Sequence, residues 1–222
     1  MYEKRFEKKS SEKLILFFKK FKLLRYNKGD IILRAEDIPS GVFYLKKGCV
    51  RLYSVSKDGE ELTLIIFKSG NVFPLMWSIN NTPNQYHLEA MTQAELYRSP
   101  RDKFLGYIKV NPDVMLELFK HVLARFGGVL QRMEYLVFGD AYAKIASILV
   151  ILADRFGEKR TADIRIQVPL IHKDVAMLVG VTRETASIEL GKLEKKGIIK
   201  HKGKAIIIKD IKKLKKESLL SF

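Results

Sequence analysis

Residues 168–197, VPLIHKDVAMLVGVTRETASIELGKLEKKG, read as two short helices joined by a tight turn. Over 172–179 the apolar residues Val175, Ala176, Leu178 and Val179 have helical spacing, and Gly180 stands where such a helix needs a left-handed stop. Thr182 is placed to cap the next helix. At about 100° per residue, Leu190 and Leu193 fall close to Ala186 and make a stripe for burial, while Glu184, Ser187, Ile188 and Gly191 collect on the opposite side. Arg183 flanks that outer face in the first turn. The major groove admits one helix, and the first turn of the second helix of such a pair is the part that reaches base edges. Thr182, Arg183, Glu184, Ser187 and Ile188 are therefore the candidate DNA-contacting residues of this helix.

Beyond the second helix the module continues. Residues 198–200 and 205–208 are β-rich runs separated by HKGK, a glycine-containing turn, so the pattern predicts a winged helix-turn-helix. Lys202 and Lys204 at the wing tip suit phosphate contacts, which position a module without specifying sequence. Charge agrees. The chain is formally +16, residues 141–222 hold 18 Lys and Arg against 9 Asp and Glu, residues 1–28 hold 10 against 3, and the span between is neutral. Such segregation is the footprint of a nucleic-acid partner at one end of the chain and a sensing module in its middle. The amino-terminal runs KRFEKK and KKFKLLR read as a solvated amphipathic helix face.

The phrase GVTRETAS resembles the reading helix of the catabolite activator/fumarate-nitrate regulator family of bacterial transcription regulators. The resemblance implies that Arg183 contacts guanine, that Glu184 accepts from the amino group of cytosine, and that Ser187 also touches a base. A third reader of the family, usually arginine, is Ile188 here, so a guanine contact is lost and a thymine methyl becomes a candidate. Ile171 replaces the Thr or Ser that commonly caps the first helix.

From residue 29 to 97 the pattern is β. IILRA, VFYLKK, CVRLYSVS, ELTLIIF, HLEAM and AELYR are short branched and aromatic runs between turns, with a hairpin signal at Lys57-Asp58-Gly59. They predict a small antiparallel barrel or jelly roll, giving an α+β chain overall. This half is similar to the family's cyclic-nucleotide-binding domain, with Gly48, Gly59 and Gly70 at its recurrent turns. The nucleotide chemistry is missing, however. Phe73, Pro74 and Leu75 stand where the family has Phe-Gly-Glu, Asn84 and Gln85 fall at its Arg-Ser pair, and no Lys or Arg occurs between Lys68 and Arg98. A phosphate would lose its charge-assisted contacts. Phe73, Leu75, Met76, Trp77, Tyr86 and His87, with Val129 and Leu130 from a later helix, instead suggest a pocket for a small apolar or aromatic effector. Haem is the runner-up, with His87, Met76 or Cys49 as axial ligand; a single cysteine excludes a cysteine-ligated iron-sulfur cluster and an internal disulfide. The effector itself stays unknown.

Between the two halves lies a long periodic segment, from Asn111-Pro112-Asp113 to Gly139. Leu116, Leu123, Leu130 and Val137 recur every seven residues and Phe119, Phe126 and Met133 fall three later, filling both seam positions of successive heptads. These seven are the candidate dimer interface, and a two-fold protein suits an inverted-repeat operator on double-stranded DNA. Gly127-Gly128 within this helix must make room for the partner helix or an effector, and Phe138-Gly139-Asp140 resembles the family hinge, with Asp140 capping a helix over 141–156. The expected organisation is a β-barrel sensor with an N-terminal helix (1–110), a dimerisation helix and hinge (111–139) and a winged helix-turn-helix (140–222). The expected protein is a cytoplasmic homodimeric transcription regulator with no membrane partner, for which RNA polymerase would be a partner in activation. A ligand-binding regulatory module of an enzyme complex is the competing class. No apolar run approaches a membrane span, and the scattered histidines His87, His121, His172 and His201 and the absence of a phosphate-binding glycine loop argue against catalysis.

Overall fold

The computed structural model describes residues 8–159 and 163–220. Among these, the chain divides into two compact units, one ending at Val122 and the other beginning at Leu123. KRFEKK lies largely outside the described residues.

The first unit opens with α1 (Lys8–Phe18), followed by strands β1 (Lys22–Tyr26), β2 (Ile31–Leu33), β3 (Val42–Lys47), β4 (Cys49–Val55), β5 (Glu61–Lys68) and β6 (Val72–Phe73). Helix α2 (Leu75–Asn80), strands β7 (His87–Ala90) and β8 (Ala94–Ser99), and helix α3 (Arg101–Val110) complete it, together with the start of the long α4 (Pro112–Phe138). Two four-stranded antiparallel sheets, in the orders β1-β8-β3-β6 and β2-β7-β4-β5, build a jelly roll. Its interior holds Leu33, Phe43, Leu45, Val50, Phe67, Phe73, Leu88, Ala90, Ala94 and Leu96, drawn from both sheets. A second core lies on the other face of β3, where Val42 and Tyr44 meet Leu14, Phe17 and Phe18 of α1, Phe104 and Ile108 of α3, and Val114 and Leu118 of α4. Alternation sends successive residues of a strand to opposite faces, so 42–45 are all buried because each face of that strand is covered.

The segment KLLRY departs from the sequence expectation. Rather than continuing a helical face, it forms β1, paired with β8 from Lys22↔Arg98 to Tyr26↔Ala94. It is an edge strand of its sheet, and the pairing that fixes it lies far along the chain. The predicted strands β2, β3, β4, β5, β7 and β8 are all present, and Gly59 (φ 82°) turns the β4–β5 hairpin. Gly48 (φ 95°) closes the β3–β4 turn where a Cβ would stand 2.3 Å from the Gln93 carbonyl oxygen, so only glycine fits there.

The second unit contains the rest of α4, then α5 (Ala141–Phe156), β9 (Gly157–Lys159), β10 (Ile164–Ile166), α6 (His172–Val179), α7 (Arg183–Lys195), β11 (Ile199–Lys202), β12 (Ala205–Ile208) and α8 (Ile211–Lys216). Helix α5 is its spine: Ile145, Ala146, Ser147, Ile148, Leu149, Val150, Leu152, Ala153 and Phe156 are all buried. Asp140 caps it, accepting from the Ala143 N–H at 2.8 Å. The sheet runs β11-β12-β10-β9. Tyr135 of α4 is fully buried, and Arg132 donates to the Leu178 carbonyl of α6, so this half of α4 packs with the helix-turn-helix.

Candidate nucleic-acid interface

Helix α6 ends at Gly180, whose φ of 68° and ψ of 46° are left-handed and whose N–H donates to the Ala176 carbonyl at 2.9 Å. That stop turns the chain sharply into α7. Thr182 caps α7 by accepting from the Thr185 N–H at 3.1 Å. Ile171 has no acceptor with which to cap α6, but Asp174 supplies the reciprocal half of a capping box, its carboxylate accepting from the Ile171 N–H at 2.8 Å. The start of α6 is thereby fixed at His172, through an acid that the residue pattern alone does not single out.

Helix α7 presents two faces. Ala186, Leu190 and Leu193 are fully buried, while Thr182, Arg183 and Glu184 are exposed, Ser187 is half-buried, and Ile188 is 61% exposed. Ile188 is thus a large branched apolar side chain held out in water on a helix that buries three others. The wing comes directly after. β11 and β12 pair from Ile199↔Ile208 to Lys202↔Ala205, and Gly203 at φ 61° makes the turn. The strand starts at Ile199 rather than 198, because Ile198 is spent closing the end of α7, its N–H donating to the Leu193 carbonyl at 3.0 Å. Lys202 and Lys204 are exposed at the tip, which is tied down by the Leu170 N–H donating to the Lys204 carbonyl at 2.9 Å.

Where helix, reader and wing meet, two histidines that look scattered in sequence come together. The rings of His172 (α6) and His201 (β11) lie 5.0 Å apart, edge to face. His172 Nδ1 is 2.5 Å from Ser187 Oγ, and Glu194 of α7 accepts from the His201 N–H at 2.8 Å while its other oxygen lies 3.4 Å from His201 Nδ1. Burial, His201 and Arg183 together hold His172 below the usual imidazole range, outweighing the opposing pull of Glu194. Backbone donation from His201 holds the Glu194 carboxyl below its usual range. Nothing in the sequence joins residues 172, 187 and 201; only the folded crossing of α6, α7 and the wing does.

Along α4, Leu116, Phe119, Leu123, Phe126, Leu130, Met133 and Val137 are between 46% and 72% exposed, an apolar stripe uncovered in the single chain. Gly128 sits in the same helix with open space around the position of an added Cβ.

In the jelly roll the residues expected to line an effector pocket are dispersed. Phe73 stacks on Phe43 and Phe67 in the interior core, Leu75 and Trp77 pack with the α1–α3 core, Met76 is exposed, and Tyr86 and His87 are half-buried. Val129 and Leu130 are exposed on α4 in the other unit. Asn84, at the position where an arginine would clasp a nucleotide phosphate, instead uses its amide to donate to the carbonyls of Arg34 and Tyr86 at 2.6 and 2.9 Å. The buried cation Arg51 is committed to carboxylates. Val50 and Leu52 of β4 pack with the interior core, and Arg51 between them lies buried on the other face of the sheet, bonded to Glu61 (2.7 Å) and Glu89 (2.6 Å) and stacked over Tyr53 at 4.1 Å. This ion cluster is invisible to a linear reading because its members lie on three strands. These residues do not fit a cyclic nucleotide's phosphate. His87 Nδ1 accepts from the Ala35 N–H at 3.3 Å, and burial pushes the Cys49 thiol up to about 11.

Comparison with known proteins agrees with this architecture. The cyclic nucleotide-binding domain family matches residues 23–111, and the Crp-like helix-turn-helix domain family matches residues 143–217. The global nitrogen regulator of Nostoc sp. is 31% identical over 178 residues, 79% of this chain and 80% of that protein. The CRP-like cAMP-activated global transcriptional regulator of Mycobacterium tuberculosis is 26% identical over 181 residues, 81% of each. Among solved structures, a variant of CooA from Carboxydothermus hydrogenoformans superposes with a TM-score of 0.75 at 27% identity, over 90% of this chain and 88% of that one. FixK2 from Bradyrhizobium japonicum shares the fold with a TM-score of 0.77 at 20% identity, over 91% and 99%.

Proposed function

The chain belongs to the Crp/Fnr family of bacterial transcription regulators, DNA-binding helix-turn-helix proteins that are not enzymes, and from that premise we propose that it is a homodimer that recognises an inverted-repeat operator under the control of a small effector other than cyclic AMP. The observation that carries this reading is the outward face of α7, where Arg183, Glu184, Ser187 and the exposed Ile188 stand opposite a fully buried stripe and beside a lysine-tipped wing. In the proposal Arg183 pairs with guanine, Glu184 accepts from cytosine and Ile188 meets a thymine methyl, while Lys202 and Lys204 hold phosphates. The bare heptad stripe of α4 supports two-fold pairing, which sets two reading heads about one helical turn of DNA apart. The effector shifts the population between groove-compatible and incompatible spacings of those heads, and it can do so only by its difference in affinity for the two. The compartment is the cytoplasm, where the operator is, and RNA polymerase becomes a partner if the bound dimer activates.

Selection of binders from a randomised duplex library by the full chain tests the reading. An inverted repeat recovered at elevated salt is the expected result, since phosphate contacts alone fade steeply with salt. Binding without sequence preference would instead favour a module that merely docks. Titration calorimetry with cyclic AMP is expected to show no binding, because Asn84 and Gln85 replace the charged clasp.

A further inference from the structure

We propose that His172 is a positioning residue for base reading: through its bond to Ser187 it decides whether that serine offers the DNA a hydrogen-bond acceptor or a donor, and so makes one base preference of the operator depend on pH. The inference rests on the reading of Ser187 as a base contact.

The geometry is local and specific. Ser187 Oγ lies on the reading helix, and its side-chain partner is His172 Nδ1 at 2.5 Å, on the first residue of α6. A hydroxyl has one proton to give and two lone pairs to receive. When Nδ1 is unprotonated it accepts a hydrogen bond from the Ser187 O–H, and the oxygen then turns only lone pairs to the groove. These suit the amino groups of adenine N6 and cytosine N4. When Nδ1 carries a proton it must donate to Oγ, and the serine O–H is released toward the groove. It then suits guanine O6 and N7 or thymine O4. An imidazolium carries protons on both ring nitrogens, so acidification fixes the second arrangement.

The groups that face His172 set the balance. His201 from the wing and Arg183 from the reading helix disfavour a charged His172, as does burial, while Glu194 of the reading helix favours it. In free protein the neutral form therefore prevails at neutral pH. Glu194 is itself bound to His201, so reader and wing both bear on the one proton. Phosphates brought to the wing would favour the charged form, making DNA binding itself take up a proton at pH values just below neutrality.

The test is the base preference of the full chain, read from a randomised duplex library at about pH 8 and about pH 5.5, on either side of the ordinary imidazole pKa. For the wild type, one position in each half-site should move from adenine or cytosine toward guanine or thymine by at least about five-fold, the lower end of what one mismatched pair is worth. His172→Asn keeps a polar atom in place of Nδ1 but does not titrate, so its preference should be the same at both pH values. Ser187→Ala should flatten that position at both. A wild-type preference that does not move with pH, or a shift that persists in His172→Asn, overturns the inference. If Ser187→Ala leaves every position as selective as before, the underlying role of Ser187 fails with it; if that variant flattens a position that is nevertheless insensitive to pH, only the role of His172 fails. Both side chains are partly exposed, and the wild-type comparison needs no variant to fold.

Discussion

Arg183 and Lys202 are both exposed cations on the same module, yet their substitution should read out differently. Arg183 opens the reading helix, where a planar guanidinium can engage guanine through two hydrogen bonds. Arg183→Ala should cost about 1–3 kcal/mol, concentrated at one base pair per half-site, with the others read as before. Lys202 stands on the wing tip, where it meets the backbone of any sequence. Lys202→Ala should weaken all duplexes alike and lower the slope of log affinity against log salt by about 1. Fluorescence anisotropy on the selected operator and on single-base variants, repeated over a salt series, separates the two. A uniform loss for Arg183→Ala would remove it from the readers.

At the scale of elements, the winged helix-turn-helix should carry its own pH signature. His172 is held below its ordinary value of 6.5 in the folded state, so below that value the unfolded chain binds the extra proton more readily. Stability from this source is whole above pH 6.5 and is lost as the pH falls from there through the lowered folded value. Glu194, held below its ordinary 4.5, contributes a separate loss that begins only in more acid solution. Urea unfolding of the wild type should show the first decline and His172→Asn should lack it; an identical decline in both would assign the effect elsewhere. These elements are legible in the sequence because each is written locally: Val175 to Val179 and Ala186 to Leu193 repeat within a few turns, and Asp140, Thr182 and Gly180 punctuate them. Strand β1 is not legible, since KLLRY is amphipathic with either period and only the distant β8 selects the strand. The His172–Ser187 and Arg51–Glu61–Glu89 contacts are illegible for the same reason, each joining side chains that only a folded crossing or a sheet register brings within reach. Aromatic character, the signal for the effector-pocket residues, cannot tell a lining residue from core: Phe73 carries that signal and lies in the interior core.

For the whole molecule, the proposed pairing through the uncovered stripe of α4 would make assembly the condition for recognition. Seven apolar side chains at heptad spacing are held in water by the single chain, and in the proposed dimer pairing two such helices would cover them. Each buried large apolar side chain is worth about 1.5–3 kcal/mol, so a charge at the centre of the seam should abolish the dimer while the outward face of the helix leaves each monomer folded. Leu123→Asp with Phe126→Asp should give a monomer by analytical ultracentrifugation with unchanged helical circular dichroism. Such a monomer still owns one reading head, so it should keep half-site contacts and salt-sensitive binding to any duplex. Recognition of the full inverted repeat should nevertheless fall by more than about 100-fold, because the second half-site is no longer bound at the effective concentration that tethering provides. Gly128→Ala supplies the converse measurement. The added methyl meets open space in the single chain and replaces a poor helix former, so it should stabilise the charged-seam monomer by about 1 kcal/mol. In the native seam the same methyl weakens the dimer if the partner helix approaches at that turn. A gain of equal size in monomer and dimer would show that the space beside Gly128 is kept for something other than the second helix.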